Sequence, residues 1–383
     1  MSVRTRVDRR GITALSCGHA CVDVAQGAVP ALLPFFVHDR GYSYAAASAL
    51  LLAMTVGSAL LQPLFGYVAD GRSLPWLLPG GVVLAGVGIS LAGVTASYPL
   101  TFAAIAVGGL GVGAYHPEAA RYANYVSGER RATGMSFFSV GGNIGFALGP
   151  ILVTPLVLLL GLSGTIWLIL PFLGIAVALA STLPHLESFR PDLDEDAGDA
   201  HGEDRWGPFS MVASIAGFRS GAYFGLQAFV PAYFIAHWGT SEGAANAALT
   251  VMLVMGAFGT LVGGRTADRI GRRAVLVGCM AVLTPAILLV LVAGPALGYV
   301  LMGICGFFAV GTFSVTVVLG QEFLPGRIGV ASGVTLGAAI GIGGVTTALL
   351  GILADASGLT PVLLVAAAFP LPALALSLAL PRQ

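Results

Sequence analysis

The sequence predicts an all-α membrane protein: twelve transmembrane helices in two pseudo-symmetric six-helix bundles. Three observations predict it. Of 383 residues, 56% are hydrophobic and only 9% are charged, against about 25% charged in a soluble domain, and the mean hydropathy is +0.89. The apolar residues fall into twelve stretches, each near the ~20 residues that cross a bilayer as a helix. The second half of the chain repeats the first at a nearly constant offset.

The first stretch, 12–38, follows the basic segment MSVRTRVDRR. Its apolar run is too long for a signal peptide and lacks a small-residue cleavage site, so it reads as an uncleaved first span. Spans at 45–69, 75–96, 98–125, 133–160 and 163–183 complete the first bundle, residues 1–183. Short turns such as DGRSL at 70–74 join them. The stretch 184–207, PHLESFRPDLDEDAGDAHGEDRWG, is acidic and bounded by Pro and Gly, which reads as a solvated linker. Spans at 208–237, 243–267, 273–294, 296–323, 328–353 and 358–380 form the second bundle, residues 208–383.

All 18 basic residues are Arg. Arg4, Arg6, Arg9 and Arg10 precede the first span, and the loop arginines Arg72, Arg130, Arg131, Arg265, Arg269, Arg272, Arg273, Arg327 and Arg382 fall on the same side after alternating spans. Only Arg40 falls opposite. Such residues collect on the cytoplasmic face, so both termini and the linker are expected there. A net charge of zero gives no reason to expect a nucleic-acid partner. Cys17, Cys21, Cys279 and Cys305 lie in apolar segments without a C-x-x-C pair and read as small apolar fillers. Phosphate-loop, H-E-x-x-H and G-x-S-x-G patterns are absent, so the expectation is a non-enzymatic protein with no cofactor and no metal.

The repeat rests on three matches. GYVAD at 66–70 returns as GRTAD at 264–268, 198 positions on; Gln26 and Pro30 return as Gln227 and Pro231, 201 on; Gly134, Gly142 and Gly145 return as Gly333, Gly341 and Gly344, 199 on. Glycines at spacing four, Gly141, Gly145 and Gly149 in the fifth span and Gly333, Gly337 and Gly341 in the eleventh, let helix backbones approach closely in lipid.

Against this apolar background a few polar residues stand out. An Asp at mid-helix costs about 2.5–3.5 kcal/mol on insertion scales and is retained where it faces a cavity or a partner. In span 1, His19, Asp23 and Gln26 fall at i, i+4 and i+7, one narrow polar stripe. Arg219 lies at similar depth in span 7, with Tyr223 and Gln227 one and two turns beyond. A structural ion pair of Asp23 with Arg219 and a proton or anion switch are both open. Span 4 offers Tyr115, Glu118 and Tyr122 on one face with Arg121 beside them, and His116. Glu118 and Arg121 are either a local salt bridge or a proton carrier and an anion ligand. His116 is either a buried, hydrogen-bonded ring or a relay.

GRTADRIGRR at 264–273, its partial first-half copy GYVADGRSLP at 66–75, and GGNIGFALGP at 141–150 resemble the major facilitator superfamily of transporters, the last its drug-antiporter branch. HACVD at 19–23, LLQPLFGYVAD at 60–70, YHPEAAR at 115–121 and GQEFLPGRIGVASG at 320–333 resemble more narrowly the fosmidomycin-resistance family. The first-half loop copy keeps Gly66, Asp70 and Arg72 and loses the rest. The resemblance implies the major facilitator fold and a multi-pass protein of the bacterial inner membrane. It implies a monomer that exports a small anionic or amphiphilic drug in exchange for protons, with the proton gradient as energy source. Proton-coupled uptake of a sugar, organic acid or phosphate ester is the alternative.

On this reading Asp23, His19 and Glu118 take protons. Arg219, Arg121, His116, Gln26, Tyr115, Tyr122, Tyr223 and Gln227 contact the substrate. Asp70, Arg72, Asp268, Arg269, Arg272 and Glu322 serve gating at helix ends, and Gly149 with Pro150 keeps the exchanger from leaking.

Overall fold

The computed structural model describes residues 7–71, 74–190 and 203–381, leaving aside the side chains of 60–71, 131–132 and 328–329. The described residues are helical, with no strand. The first bundle contains α1 (Arg9–Arg40), α2 (Tyr44–Gly71), α3 (Leu77–Ala92), α4 (Tyr98–Ser127), α5 (Arg131–Leu160) and, after a 3-10 segment Leu162–Leu168, α6 (Ile169–Glu187). The second contains α7 (Trp206–Trp238), α8 (Glu242–Ile270) and α9 (Arg272–Val292), then three broken spans: α10 (Pro295–Gly311) with α11 (Phe313–Phe323), α12 (Ile328–Ser332) with α13 (Ala339–Ser357), and α14 (Leu359–Ala368) with α15 (Pro370–Ala379). Nine stretches among the described residues are long and apolar enough to cross a membrane. The 33-residue α7 and the shorter apolar stretches Tyr44–Ala59 and Leu77–Ala92 fall where the sequence places the other three.

The breaks have local causes. Pro370 lacks the N–H that would continue α14 into α15. Between α12 and α13 the chain makes a π-helical turn, Gly333–Ala338, which rotates α13 out of the register an unbroken α-helix would give it. Of the glycines expected to form a seam here, Gly337 is buried and Gly333 is not. A Cβ on Gly333 meets nothing within 4 Å, whereas Gly344 and Gly351 have no room for one against Thr55 and Ser48 of α2. Elsewhere ends obey ordinary rules. Gly239 closes α7 in the left-handed region (φ 61°), sending its N–H to Ile235 O while Thr240 N–H reaches Phe234 O, and Ser241 Oγ then caps α8 at Ala244 N. The linker begins later than expected. Pro184, His185 and Leu186 continue α6, because Leu186 is fully buried and His185 Nε2 lies 2.8 Å from Asp8 Oδ1. Residues 191–202 of the linker lie outside the described residues.

Large side chains such as Leu159, Val177 and Val292 are 79%, 70% and 81% exposed. That is unfavourable in water and ordinary where lipid is the solvent.

The chain forms two compact units. One takes residues through Val29 and resumes at Val56 to the end of the first bundle; the other takes Pro30–Thr55 with the second bundle. In the first unit, Gly141, Gly145 and Gly149 of α5 lie directly on the α1 backbone at Ser16, Ala20 and Gly27, too close for any side chain. In the second, Asp355 at the end of α13 accepts from the first N–H groups of α2, Tyr44 N at 2.8 Å and Ala45 N at 3.0 Å, and Asn246 Nδ2 of α8 donates to Ala31 O at 2.9 Å.

Candidate functional site

The polar stripe of α1 meets α4 and α5 at one point in the first unit. His19 Nε2 lies 3.3 Å from Asp23 Oδ2, His116 Nε2 of α4 lies 3.5 Å from Asp23 Oδ1, and the two ring Nε2 atoms are 3.1 Å apart. Gln26 Nε2 donates to Asp23 Oδ1 at 2.7 Å. His19, Asp23 and Gln26 are 9%, 3% and 6% exposed. The i, i+4 spacing of His19 and Asp23 puts them on one face of α1. His116, 97 residues from His19, reaches them from a turn of α4 that contains Pro117.

The far side of each ring fixes its tautomer. His19 Nδ1 lies 2.8 Å from Phe138 O of α5, and His116 Nδ1 lies 2.8 Å from Val112 O of its own helix. A carbonyl oxygen only accepts, so both Nδ1 atoms carry a hydrogen. In two neutral rings both Nε2 atoms would then be bare lone pairs, facing each other at 3.1 Å. One further proton between them would make the contact attractive, as an imidazolium balanced by the Asp23 carboxylate. The three side chains are the one group of three metal-capable residues among the described residues, with ligand atoms within 4.8 Å.

The other span-4 residues do not join this group. Glu118, fully buried, takes Arg121 Nη2 at 2.7 Å on one oxygen and Leu74 N, in the turn before α3, at 3.1 Å on the other. Tyr115 donates its hydroxyl to Leu15 O of α1 at 2.6 Å, and Tyr122 packs edge-on against Tyr125. Both tyrosine side chains are fully buried.

In the second unit, α7 buries Arg219, 3% exposed. Its Nη2 has a long bond, 3.3 Å, to Ser220 Oγ, its guanidinium sits 5.1 Å from the Phe313 ring centroid, and its Nε has no partner. Among the described residues no carboxylate pairs with it. Gln227, fully buried, has no partner for either side-chain polar atom. Tyr223, one turn from Arg219, packs edge-on against Phe224. A buried cation and a buried amide left open are each expensive.

Of the helix-end residues, Arg272 Nη1 pairs with Glu322 Oε1 at 2.7 Å; Asp268 and Arg269 are exposed. The Asp70 side chain and Arg72 lie outside the described residues. Gly149 is buried against Gly27, and Pro150 is buried beside it. The sequence reading missed Phe138 and Val112, whose contribution is a backbone carbonyl and carries no residue-type signal. It named Gly142 only as a repeat glycine.

The sequence pattern of the Major Facilitator Superfamily matches residues 15–334. The chain belongs to this superfamily. As a major facilitator it is a multi-pass membrane transporter of small molecules and not an enzyme. It is 30% identical to the Fosmidomycin resistance protein of Escherichia coli (strain K12) over 364 residues, covering 94% of this chain and 89% of that protein. It is also 30% identical to the uncharacterized MFS-type transporter YfnC of Bacillus subtilis (strain 168) over 360 residues, 92% of this chain and 88% of that one. In structure it is similar to a bacterial homolog of the human lysosomal transporter Spinster in an inward-facing, occupied conformation. That match has a TM-score of 0.73 at 15% identity and covers 96% of this chain and 95% of that one. The transporter FucP in its outward conformation matches with a TM-score of 0.67 at 15% identity, over 97% and 99% of the two chains.

Proposed function

We propose that this major facilitator exports a small anionic drug of the fosmidomycin kind across the bacterial inner membrane, in exchange for protons. It works as a monomer with both termini in the cytoplasm. The observation that supports the proton half is the 3.1 Å contact between the His19 and His116 Nε2 atoms, which a shared proton would make attractive. The relative's name supplies the drug, and the buried, unpaired Arg219 fits an anion.

The proton is held by three residues acting as a unit. With it, Asp23 is neutralised and the rings attract. Without it, two lone pairs face each other beside a buried carboxylate, and the rings part. The two protonation states are therefore two packings of α1 against α4 and α5. A solute that binds one packing better shifts the balance between them, which is how proton and drug exclude one another without touching. Glu118, with both oxygens held by Arg121 and Leu74, anchors the turn before α3 in this scheme. Tyr223 and Gln227 lie with Arg219 along the solute path, and the Arg272–Glu322 pair belongs to the cytoplasmic gate.

Proteoliposomes test this. Vesicles are loaded with acidic buffer, diluted into alkaline buffer and given fosmidomycin outside, and a trapped dye reports lumenal pH. Exchange predicts faster alkalinisation of the lumen on adding the drug. Acidification would establish symport instead, and an unchanged rate would remove proton coupling.

A further inference from the structure

The two histidines of the proton site are anchored differently. His116 donates to Val112 O on its own helix, so its anchor moves with it. His19, on α1, donates to Phe138 O on α5, so its anchor depends on how α1 and α5 are packed. The α5 wall is close. The Phe138 ring stacks on the His19 ring with centroids 4.1 Å apart and planes 25° from parallel. One helical turn on, Gly142 leaves a gap that His19 and Asp23 fill. A Cβ there would lie 2.5 Å from His19 Nε2 and 2.7 Å from Asp23 Oδ2. Phe138 and Gly142, at i and i+4, thus frame the proton-bearing nitrogen from outside the helices that supply the titrating groups.

We infer that α5 is the positioning element of the proton site: through the Phe138 carbonyl and ring and the bare face of Gly142, the α1–α5 seam sets whether His19 can hold the proton. The inference rests on the reading of His19, Asp23 and His116 as proton carrier. Its chemistry is direct. An imidazolium needs acceptors for both N–H groups. Phe138 O is the acceptor for Nδ1–H of His19, and the stacked ring adds an attraction specific to the cationic form. If α5 slides along α1, both are lost together and the proton is released. The glycine seam at Gly141, Gly145 and Gly149 provides the surface for such sliding. The other titratable groups alongside are Cys17 and Cys21 on α1 and Tyr115 on α4, whose hydroxyl is committed to Leu15 O. From α5, Arg131 at its first position is the one titratable residue in its sequence.

The test compares two seam glycines in full-length protein in proteoliposomes. Gly142→Ala puts a methyl against His19 Nε2, whereas Gly145→Ala puts one against Ala20 O of the α1 backbone and forces α1 and α5 apart. The readout is the pH at which drug-driven proton flux is half-maximal. G142A moves this pH to the acidic side by about one unit, the size of one lost contact to a charged group, with the fosmidomycin KM unchanged. G145A, which parts the seam itself, shifts the profile in the same direction and also lowers the maximal rate. Phe138→Leu keeps the carbonyl, removes the stacked ring and remains informative if the glycine variants do not insert. It shifts the profile in the same direction by a smaller amount. Identical profiles in wild type, G142A and F138L would overturn the inference. Loss of coupling in wild type itself would instead overturn the proton reading on which it rests.

Discussion

The two first spans of the repeat, α1 and α7, bury polar side chains at corresponding places and treat them in opposite ways. On α1 the group is closed: both oxygens of Asp23 and all four ring nitrogens of His19 and His116 have partners. On α7 the group is open: Arg219 Nε and both polar atoms of Gln227 have none. Gln26 and Gln227, equivalent in the repeat, illustrate the divergence. Gln26 donates to Asp23 three residues before it, whereas the position three residues before Gln227 is Phe224, which offers no acceptor. On the proposed reading a proton completes the closed group and the solute completes the open one, so that duplication gave one unit the ion and the other the solute.

The largest expected effect comes from breaking the closed group. Asp23→Asn removes the carboxylate that balances the imidazolium, and proton-driven fosmidomycin transport falls to background while the protein remains in the membrane. Undiminished flux in D23N would show that the closed group is structural only. Next is the open group. Arg219→Gln removes the buried cation and raises the fosmidomycin KM about 10- to 100-fold, the loss of one bond to a charged group, while proton release upon acid-to-alkaline jumps persists. A KM unchanged in R219Q would place the anion elsewhere. Smaller again is Glu118→Gln, which removes the carboxylate paired with Arg121. It lowers the melting temperature in detergent by a few degrees, for about 1–2 kcal/mol, and leaves the pH profile of transport alone. A shifted profile with unchanged melting would make Glu118 a second proton carrier. The smallest effect is none: on the proposed reading a proton fills the gap between the two rings, and EDTA leaves transport unaltered. Inhibition by EDTA, reversed by zinc, would contradict that.

Much of this was legible in the sequence because lipid imposes simple rules. Span number, the repeat and the costly residues in α1, α4 and α7 are set by hydropathy and by the expense of burying polar groups. The seam of Gly141, Gly145 and Gly149 is set by helical spacing, and the structure packs it on α1. What could not be read was which costly residue meets which. His116 and Glu118 are two residues apart, yet His116 turns to Asp23 and Glu118 to Leu74 and Arg121. No periodicity reports a contact between side chains 97 residues apart on different helices. In the eleventh span the spacing rule misses for a different reason at Gly333, which packs against nothing. The chain makes a π turn at Gly333–Ala338, and close packing is seen further on, at Gly344 and Gly351.

The most direct measurement is proton release on drug binding. Purified protein in weakly buffered detergent solution, with a pH indicator present, is mixed with fosmidomycin. The account predicts release of about one proton per chain from wild type, from the single proton shared by two rings, and none from D23N or His116→Gln. No release from wild type, or equal release from the two variants, would contradict it.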